Sequence, residues 1–377
     1  MSTTLKKRIL FPVASIVIGF AAVALVLEIV LRFLPVCDAQ QRLPVNEENP
    51  IFRFAPNRTI QWSSGWNFSM TNTLRLNNDG FLSGIDYHAD DPGPLLAVVG
   101  DSYVEALMVP YEETGQGRMQ KALDGRARVY AFAIRGSPLS QYLAMAEYAR
   151  DRYRPDAMAI VVIGNDFDES LLAYKSEPGY HYFAERGDGS LELQRVDYTP
   201  DRTKLLVRHS ALARYLLINL QLLLLPSRLK DKFAAGGERP TAYVGNTSSA
   251  AGGERVARSK RGVDAFLAEL PARSGLDKSR ILLVVDGIRP HLYEPAMLES
   301  VNGSFFDVMR RYFLDRASES GYEVIDMQKV FMAHYAHFGR RFEYPNDDHW
   351  NPLGHELFFE AMNGSAVMKR FRDLEGP

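Results

Sequence analysis

The sequence predicts an α/β protein in which a doubly wound parallel sheet of about five strands lies between helices, with a transmembrane helix before it. Five short apolar runs lack the alternation of half-exposed strands and suit strands that are buried in a parallel sheet. These runs are Leu95–Val99, Val129–Ile134, Ala157–Ile163, Ile281–Val285 and Tyr322–Ile325. Helix-like stretches separate them, and strands that alternate with helices are typical of a doubly wound sheet.

The predicted helices of this sheet lie between the strands and after the last one. The helices between strands are Glu105–Leu123, Leu139–Arg152, Val256–Leu270 and Ser304–Ser318. The last helix is expected to begin near Asn351-Pro352, because asparagine is a good N-cap and proline is favoured at the first helical position.

The N-terminus carries the transmembrane signal. Basic residues 6–8 precede Ile9–Leu27, a run of 19 residues without a charge. As a helix this run is about 29 Å long, the thickness of the hydrocarbon core of a bilayer. A cleaved signal peptide is the alternative, but the run is long, and Leu34–Cys37 offers neither a small-residue cleavage site nor a good lipoprotein signal. We expect an uncleaved single-pass anchor in the cytoplasmic (inner) membrane through residues 9–30. The basic cluster stays in the cytoplasm and the rest of the chain is periplasmic or otherwise extracytoplasmic.

Composition shifts divide the chain further. Residues 1–36 form the cytoplasmic tip and the anchor, and residues 37–92 are polar and predict an extended linker with short strands. The α/β domain then covers residues 93–377, with an insertion at about 174–280 that is too long for a simple crossover between strands.

The insertion has three recognisable parts. His181–Tyr198 predicts a hairpin with Gly187–Gly189 as its turn. The apolar stretch Ala211–Leu225 is short for a membrane span and contains Arg214, so we expect a helix of the insertion or one on the membrane surface. The Gly- and Ser-rich segment Gly236–Gly253 predicts a mobile loop.

Charge and cysteine content exclude several classes of function. The 44 basic and 46 acidic residues give a net charge of -2. Without a basic excess, no nucleic-acid partner is expected. The single cysteine, Cys37, rules out a disulfide within the chain and zinc or iron–sulfur sites built from cysteine.

Four polar groups follow predicted strands or precede the last helix. Gly100–Ser102 places a serine at a strand-to-helix turn, at the sheet edge where open α/β sheets bind ligands. Gly136 follows the second strand, and its N–H group can donate to an oxyanion. Asn165 follows the third strand, and its side-chain amide can do the same. Each of the three, taken alone, is better explained as an ordinary turn.

The fourth group lies at 346–355, before and within the last helix. A carboxylate two residues before His349 can accept a hydrogen bond from its Nδ1 and leave Nε2 free to act as a base. A solvated acidic loop is the plain alternative. A metal site from Asp347, Asp348, His349 and His355 is another, although His355 should lie inside the helix and face elsewhere.

Together these groups resemble the blocks of the SGNH (GDSL-type) hydrolase superfamily over residues 95–372. The resemblance implies a flavodoxin-like sheet and a serine acyl-transfer site. Ser102 corresponds to the nucleophile, and Asp347 and His349 to the final catalytic pair. The N–H groups of Ser102 and Gly136 and the amide of Asn165 correspond to the oxyanion hole.

The blocks depart from the usual pattern in two ways. Ile163 stands where the third block usually has glycine, and Gly164 directly precedes Asn165. The last block often has its aspartate three residues before the histidine. Here that position is Asn346, and Asp347 lies two residues before His349. The shorter spacing resembles a branch that includes alginate O-acetylation proteins. Asp347 is preferred to Asp348, whose side chain should point to the opposite side of an extended loop.

The anchor, Asn77–Phe81 and His349–Asn351 also resemble membrane-anchored bacterial members that act on acylated surface polysaccharides. The expected function is an extracytoplasmic esterase or O-acetyltransferase with an acylated carbohydrate substrate and no metal or organic cofactor. Envelope polysaccharide-modification proteins are the expected partners. A non-catalytic, membrane-anchored scaffold of a polysaccharide assembly machine is the alternative, although a binding module has no need for Ser102, Asn165, Asp347 and His349 together.

Overall fold

The computed structural model describes residues 3–39, 41–222, 243–345 and 347–374. The chain forms two compact units. The N-terminal unit consists of residues 1–41, 60–73 and 200–236, and the α/β unit consists of residues 42–59, 74–199 and 237–377.

The strands are numbered in chain order. They are β1 (Arg58–Ser64), β2 (Met70–Leu76), β3 (Leu95–Gly100), β4 (Arg128–Ala133), β5 (Ala157–Val162), β6 (His181–Glu185), β7 (Leu191–Arg195), β8 (Tyr243–Val244), β9 (Thr247–Ser248), β10 (Ile281–Val285), β11 (Glu323–Asp326), β12 (Glu343–Tyr344) and β13 (Asp347–Trp350).

The helices among the described residues are numbered in the same way. They are α1 (Thr3–Leu31), α2 (Ser102–Glu105), α3 (Gly115–Leu123), α4 (Leu139–Tyr153), α5 (Arg202–His209), α6 (Ala211–Arg214), α7 (Gly253–Ser274), α8 (Pro295–Ser300), α9 (Phe305–Glu319), α10 (Met327–Phe338), α11 (Pro352–Asn363) and α12 (Ala366–Arg372).

The core of the α/β unit is a parallel sheet of five strands in the order β11-β10-β5-β3-β4. This is the flavodoxin-like order, and the predicted fold class is confirmed. All five apolar runs found in the sequence are strands of this sheet. Every residue of β3, β5 and β10 is buried, which explains why these strands show no polar alternation.

The order of the strands reverses at β3. The chain passes from β3 to its neighbour β4 and then returns to β5 on the other side of β3. Ligands of open α/β sheets bind where the strand order reverses in this way. Ser102 follows the end of β3 and Asn165 follows the end of β5, so both lie at this position.

The continuous helix predicted over Glu105–Leu123 is wrong. The short helix α2 ends at Glu105, and Ala106 adopts a left-handed conformation with φ 46°. Pro110 lacks the N–H group that a helix interior needs, and the next α-helix begins only at Gly115, after a short 3-10 turn. Its N-cap is Thr114, whose hydroxyl accepts a hydrogen bond from the N–H of Gly117 at 3.1 Å. The other predicted helices of the sheet are confirmed to within a few residues.

The last helix begins where the sequence predicted. Asn351 is the N-cap of α11, and its side-chain oxygen accepts hydrogen bonds from the N–H groups of Leu353 and Gly354, both at 3.0 Å. Pro352 occupies the first helical position. This cap fixes the point at which the preceding strand β13, with His349, must end.

The insertion is more ordered than its composition suggested. The predicted hairpin is present as β6 and β7, joined by a turn in which the N–H of Arg186 donates to the carbonyl of Ser190 at 2.9 Å. Part of the predicted mobile loop is a second hairpin, β8–β9. Its turn residues Gly245 and Asn246 have φ values of 62° and 64°, the conformation of a two-residue type I′ turn. Residues 236–242 of that prediction lie outside the described residues.

The N-terminal unit contains α1. Within it, Phe11–Leu31 is, among the described residues, the helical segment long and apolar enough to cross a membrane, and none of its residues before Leu31 is buried. The apolar stretch predicted as a helix of the insertion begins as α6 and continues as a π-helical turn over Tyr215–Asn219. Ala211 packs on Leu31 and Val36, at the end of α1. Residues 223–225 of this stretch lie outside the described residues.

The Asn77–Phe81 segment has a structural explanation. The side-chain oxygen of Asn77 accepts hydrogen bonds from the N–H groups of Asp79 at 3.0 Å and Phe81 at 2.9 Å. The carboxylate of Asp79 accepts from the hydroxyls of Tyr148 and Tyr153, both at 2.7 Å. The turn therefore fastens the segment before β3 to the end of α4.

Candidate active site

Ser102 is the first residue of α2, directly after the buried strand β3. The N-cap is Asp101, whose Oδ1 accepts a hydrogen bond from the N–H of Tyr103 at 2.9 Å. The chain thus turns sharply from strand to helix at Gly100–Asp101. This turn presents the Ser102 hydroxyl at the carboxyl edge of the sheet.

Ser102, His349 and Asp347 form a hydrogen-bonded chain. The distance between His349 Nε2 and Ser102 Oγ is 2.8 Å, and the distance between His349 Nδ1 and Asp347 Oδ1 is 2.5 Å. Asp347 also accepts the backbone N–H of His349 at 2.9 Å. All three side chains are partly buried, so each keeps some exposed surface.

The extended strand β13 decides which carboxylate reaches the imidazole. Alternate residues of a strand point to opposite faces, so Asp347 and His349 share one face. The side chain of Asp348 is on the other face and is exposed. The structure therefore places Asp347, and not Asp348, against His349. Asn346 lies outside the described residues.

The electrostatics of the pair favour a charged carboxylate at Asp347. Burial opposes ionisation of Asp347, but its hydrogen bonds from His349 outweigh burial and hold the pKa of the carboxyl below its ordinary value. A carboxylate that accepts the Nδ1–H proton leaves the lone pair of Nε2 facing the hydroxyl of Ser102. This is the tautomer in which His349 can take the proton of the serine.

A second carboxyl group lies beside the serine. Asp101 is buried, and burial raises its pKa to about 6. Its Oδ2 lies 3.1 Å from Ser102 Oγ, so the serine hydroxyl has two acceptors, this oxygen and His349 Nε2. The shorter distance is the one to His349.

Gly136 and Asn165 lie in the turns after the neighbouring strands. Gly136 has φ +77° in the turn after β4, and Asn165 lies in a 3-10 turn directly after β5. The amide of Asn165 donates to Glu169 at 3.1 Å. Lys175 pairs with Glu169 at 2.5 Å and donates to the carbonyl of Gly136 at 3.2 Å. One ion pair thus links the two turns and fixes which way the amide of Asn165 is oriented.

A buried acid supports the turn that carries Asn165. Asp166 Oδ2 accepts hydrogen bonds from the N–H of Ile163 at 2.8 Å and the hydroxyl of Tyr142 at 2.9 Å. Burial, together with the nearby charge of Asp101, raises the pKa of Asp166 well above its ordinary value. The aspartate of the third block is therefore structural.

The irregular glycine of the third block has a steric cause. A Cβ at position 164 would lie 1.9 Å from the carbonyl oxygen of Gly245 in the β8–β9 turn. Only glycine allows the insertion hairpin to approach the turn after β5 so closely. The hairpin also contacts the residue after the serine, because Asn246 Nδ2 donates to the hydroxyl of Tyr103 at 2.8 Å.

Several supporting residues were not found from the sequence. The backbone carbonyl of Asp348 accepts hydrogen bonds from the hydroxyl of Tyr103 at 2.9 Å and from Arg289 Nη1 at 2.8 Å. Arg289 is buried and pairs with Asp286 at 2.6 Å, and Trp350 Nε1 donates to the same carboxylate at 3.0 Å. These groups hold β13 at Asp348 and at Trp350, the two neighbours of His349.

The sequence offered a signal for only part of this support. Asp286 follows β10 directly, so it is a polar residue at the carboxyl edge like Ser102 and Asn165. Arg289 and Tyr103 carry no such signal, because their role depends on where β13 passes the sheet.

His355 does not join the site as a metal ligand. It lies in α11, is buried, and its Nδ1 accepts a hydrogen bond from the N–H of Gly115 at 3.3 Å. Burial lowers its pKa to about 3, so the imidazole is neutral. Within the part of the chain that the structure describes, no group of three or more His, Cys, Asp or Glu residues is placed to hold a metal ion.

Comparison with known proteins adds a fold likeness. No family model matches the chain, and no curated protein matches it. Solved structures with a similar fold include TesA (13% identity, TM-score 0.37), which covers 74% of this chain and 99% of its own. A member of the lipolytic protein G-D-S-L family from Veillonella parvula has 9% identity and a TM-score of 0.34, covering 71% of this chain and 96% of its own. The lipase/acylhydrolase from Enterococcus faecalis has 11% identity and a TM-score of 0.37, covering 74% and 97%.

At such identities and TM-scores these likenesses concern the fold and carry no argument about activity. The class of protein is defined by the chain's own features. Its sheet order is flavodoxin-like, and Ser102, Gly136 and Asn165 each follow a strand at the carboxyl edge of the sheet.

Proposed function

We propose that this protein is a serine-dependent acyl-ester hydrolase or O-acetyltransferase of the SGNH type. One observation carries the proposal: the chain Ser102–His349–Asp347, with distances of 2.8 Å and 2.5 Å, at the point where the strand order of the sheet reverses. In such a chain the imidazole takes the proton of the serine hydroxyl, and the carboxylate holds the imidazole in position. The serine oxygen can then attack the carbonyl carbon of an ester.

The first half of the reaction transfers the acyl group to the enzyme. Ser102 Oγ attacks the ester carbonyl carbon while its proton passes to His349 Nε2. The N–H groups of Ser102 and Gly136 and the amide of Asn165 stabilise the negative oxygen of the tetrahedral intermediate. The ester C–O bond then breaks, and His349 returns the proton to the leaving alkoxide. Asp347 holds the imidazole and stabilises its cation.

The second half of the reaction releases the acyl group. An acceptor hydroxyl loses its proton to His349 and attacks the acyl carbon, after which Ser102 leaves and recovers a proton. Water as acceptor makes the protein an esterase, and a sugar hydroxyl makes it an O-acetyltransferase. Both reactions use the same groups, and neither needs a metal ion or an organic cofactor.

The proposed substrate is an O-acylated envelope or exported polysaccharide, and the proposed location is the outer side of the cytoplasmic membrane. The length and apolar surface of α1 support an anchor.

Deleting the gene should change the O-acetyl content of the surface polysaccharide, and the gene for Ser102→Ala should not restore it. A fall after deletion indicates a transferase and a rise indicates an esterase. Unchanged content would contradict the proposed substrate.

The chain should cross the membrane only once. Ser102 and His349 are hydrogen-bonded, so they share a compartment, and an even number of crossings must lie between them. Reporter fusions after residues 90, 250 and 377 should all report the extracytoplasmic side. A cytoplasmic signal at 250 or 377 would contradict both the topology and the site.

Asn165→Ala should lower kcat for a small acetyl ester by about 10²–10³-fold, since that is the typical effect of removing one oxyanion donor. The KM should change little, because the amide acts on charge that develops in the transition state. Steady-state kinetics with the purified protein measure both quantities. Full activity of this variant would show that Asn165 is not an oxyanion donor.

A further inference from the structure

Two large aromatic side chains of the N-terminal unit are unusually exposed. Phe33 follows the end of α1 and is 85% exposed, and Trp66 lies between β1 and β2 and is 72% exposed. Tryptophan is enriched where a membrane protein meets the headgroup layer. The level that matters for these two side chains is the one at which α1 would leave the bilayer.

A carboxylate in the last turns of α1 marks that level. Glu28 accepts hydrogen bonds from Ser210 Oγ at 2.8 Å and from the N–H groups of Leu212 at 2.9 Å and Ala211 at 3.1 Å. A charged group is costly within the hydrocarbon core, so Glu28 and the start of α6 must lie at its edge. The insertion is therefore tied to α1 at the surface of the membrane.

Trp66 is held at the same level. Its carbonyl accepts a hydrogen bond from the hydroxyl of Tyr215 at 2.7 Å. Tyr215 in turn packs against the apolar cluster of Leu31, Val36 and Ala211, which begins at the last residue of α1. The turn with Trp66 is thus attached to the end of the anchor through side-chain packing and not only through the chain.

The charges nearby suit a headgroup layer. The side chain of Arg32 is 60% exposed, bonds Glu28 at 2.9 Å and donates to the carbonyl of His209 at 3.2 Å. A basic side chain directly after an apolar membrane helix lies at the level of the lipid phosphates.

We propose that Trp66 and Phe33 insert into the headgroup region of the outer leaflet, so that the N-terminal unit rests on the membrane that α1 crosses. This inference rests on the proposed membrane anchorage. The two aromatic side chains would form a second surface in contact with lipid, in addition to the apolar surface of α1.

The emission of Trp66 provides a direct test. The chain has three tryptophans, and the other two, Trp62 and Trp350, are buried. The full-length protein is reconstituted into nanodiscs of phosphatidylcholine carrying a nitroxide either near the headgroup or deep in the acyl chain. Trp66→Phe is the matched control, because it removes the exposed indole and keeps an aromatic ring.

The emission that Trp66→Phe removes should be strongly quenched by the shallow nitroxide and less by the deep one, while acrylamide in water quenches it weakly. Placing the probe at the second position, as Phe33→Trp in the Trp66→Phe background, should give the same pattern. Strong quenching by acrylamide without quenching by either nitroxide would overturn the proposal. Weak quenching by acrylamide and by both nitroxides would also overturn it, because the indole would then be covered by protein. Ester hydrolysis by the same samples separates this result from failure of the proposed function.

Discussion

Ser102→Ala is expected to lower kcat for a small acetyl ester by about 10⁶-fold, to a residual rate set by binding and the oxyanion donors. Without Oγ no acyl-enzyme forms, and His349 has no proton to take from position 102. The substitution removes one atom from a partly buried turn, so the melting temperature should change little. Steady-state kinetics and thermal unfolding of the same preparation measure the two quantities.

The control for this variant is another serine whose hydroxyl is used structurally. Ser140 is buried at the start of α4 and donates to the carbonyl of His181 at 2.7 Å. Ser140→Ala should lower stability by about 1 kcal/mol, the typical value of one such bond, and leave kcat within a few-fold. Equal losses of activity in the two variants would indicate unfolding and not loss of a nucleophile.

Asp347→Asn should lower kcat by about 10⁴-fold, whereas Asp348→Asn should have a small effect. An asparagine amide facing Nδ1 favours the tautomer with the proton on Nε2, which then donates to Ser102 and cannot act as a base. Asp348 contributes its backbone carbonyl to Tyr103 and Arg289, and that contact is unchanged in Asp348→Asn. The two variants are isosteric neighbours, so each controls for the other.

The pH profile of the wild-type enzyme gives a second readout of this pair. The pKa of Asp347 lies below that of an ordinary aspartate. Its carboxylate therefore stays charged at a pH where an ordinary aspartate begins to take up a proton. It is protonated only in stronger acid, so loss of activity in mildly acidic buffer must come from other groups. For the two substitutions, a mild loss of kcat in Asp347→Asn together with a severe loss of kcat in Asp348→Asn would contradict the assignment of Asp347 as the carboxylate that holds His349.

The sheet could be predicted from the sequence because burial leaves a direct signal there. Strands such as β3 and β5 are covered on both faces, so each position must be apolar, and the runs stand out. The candidate groups were found for a related reason. A polar residue directly after a buried strand, such as Ser102 or Asn165, can only lie at the carboxyl edge of the sheet.

Features that depend on contacts between distant segments could not be predicted. The β8–β9 hairpin consists of very short strands, and its position is set by the close approach of Gly245 to Gly164. The buried Arg289 is explained only by its partners Asp286 and the carbonyl of Asp348, which lie far apart in sequence. The break after α2 was missed because the apolar residues before Pro110 resemble one face of a helix.

The proposed function requires Ser102 to be a nucleophile that His349 activates. The most direct test is to treat the full-length protein with a fluorophosphonate and to map the adduct by mass spectrometry. We expect one phosphonylated residue, Ser102, with no labelling of Ser102→Ala and strongly slowed labelling of His349→Ala. Labelling that persists in Ser102→Ala, or an adduct on another residue, would contradict it.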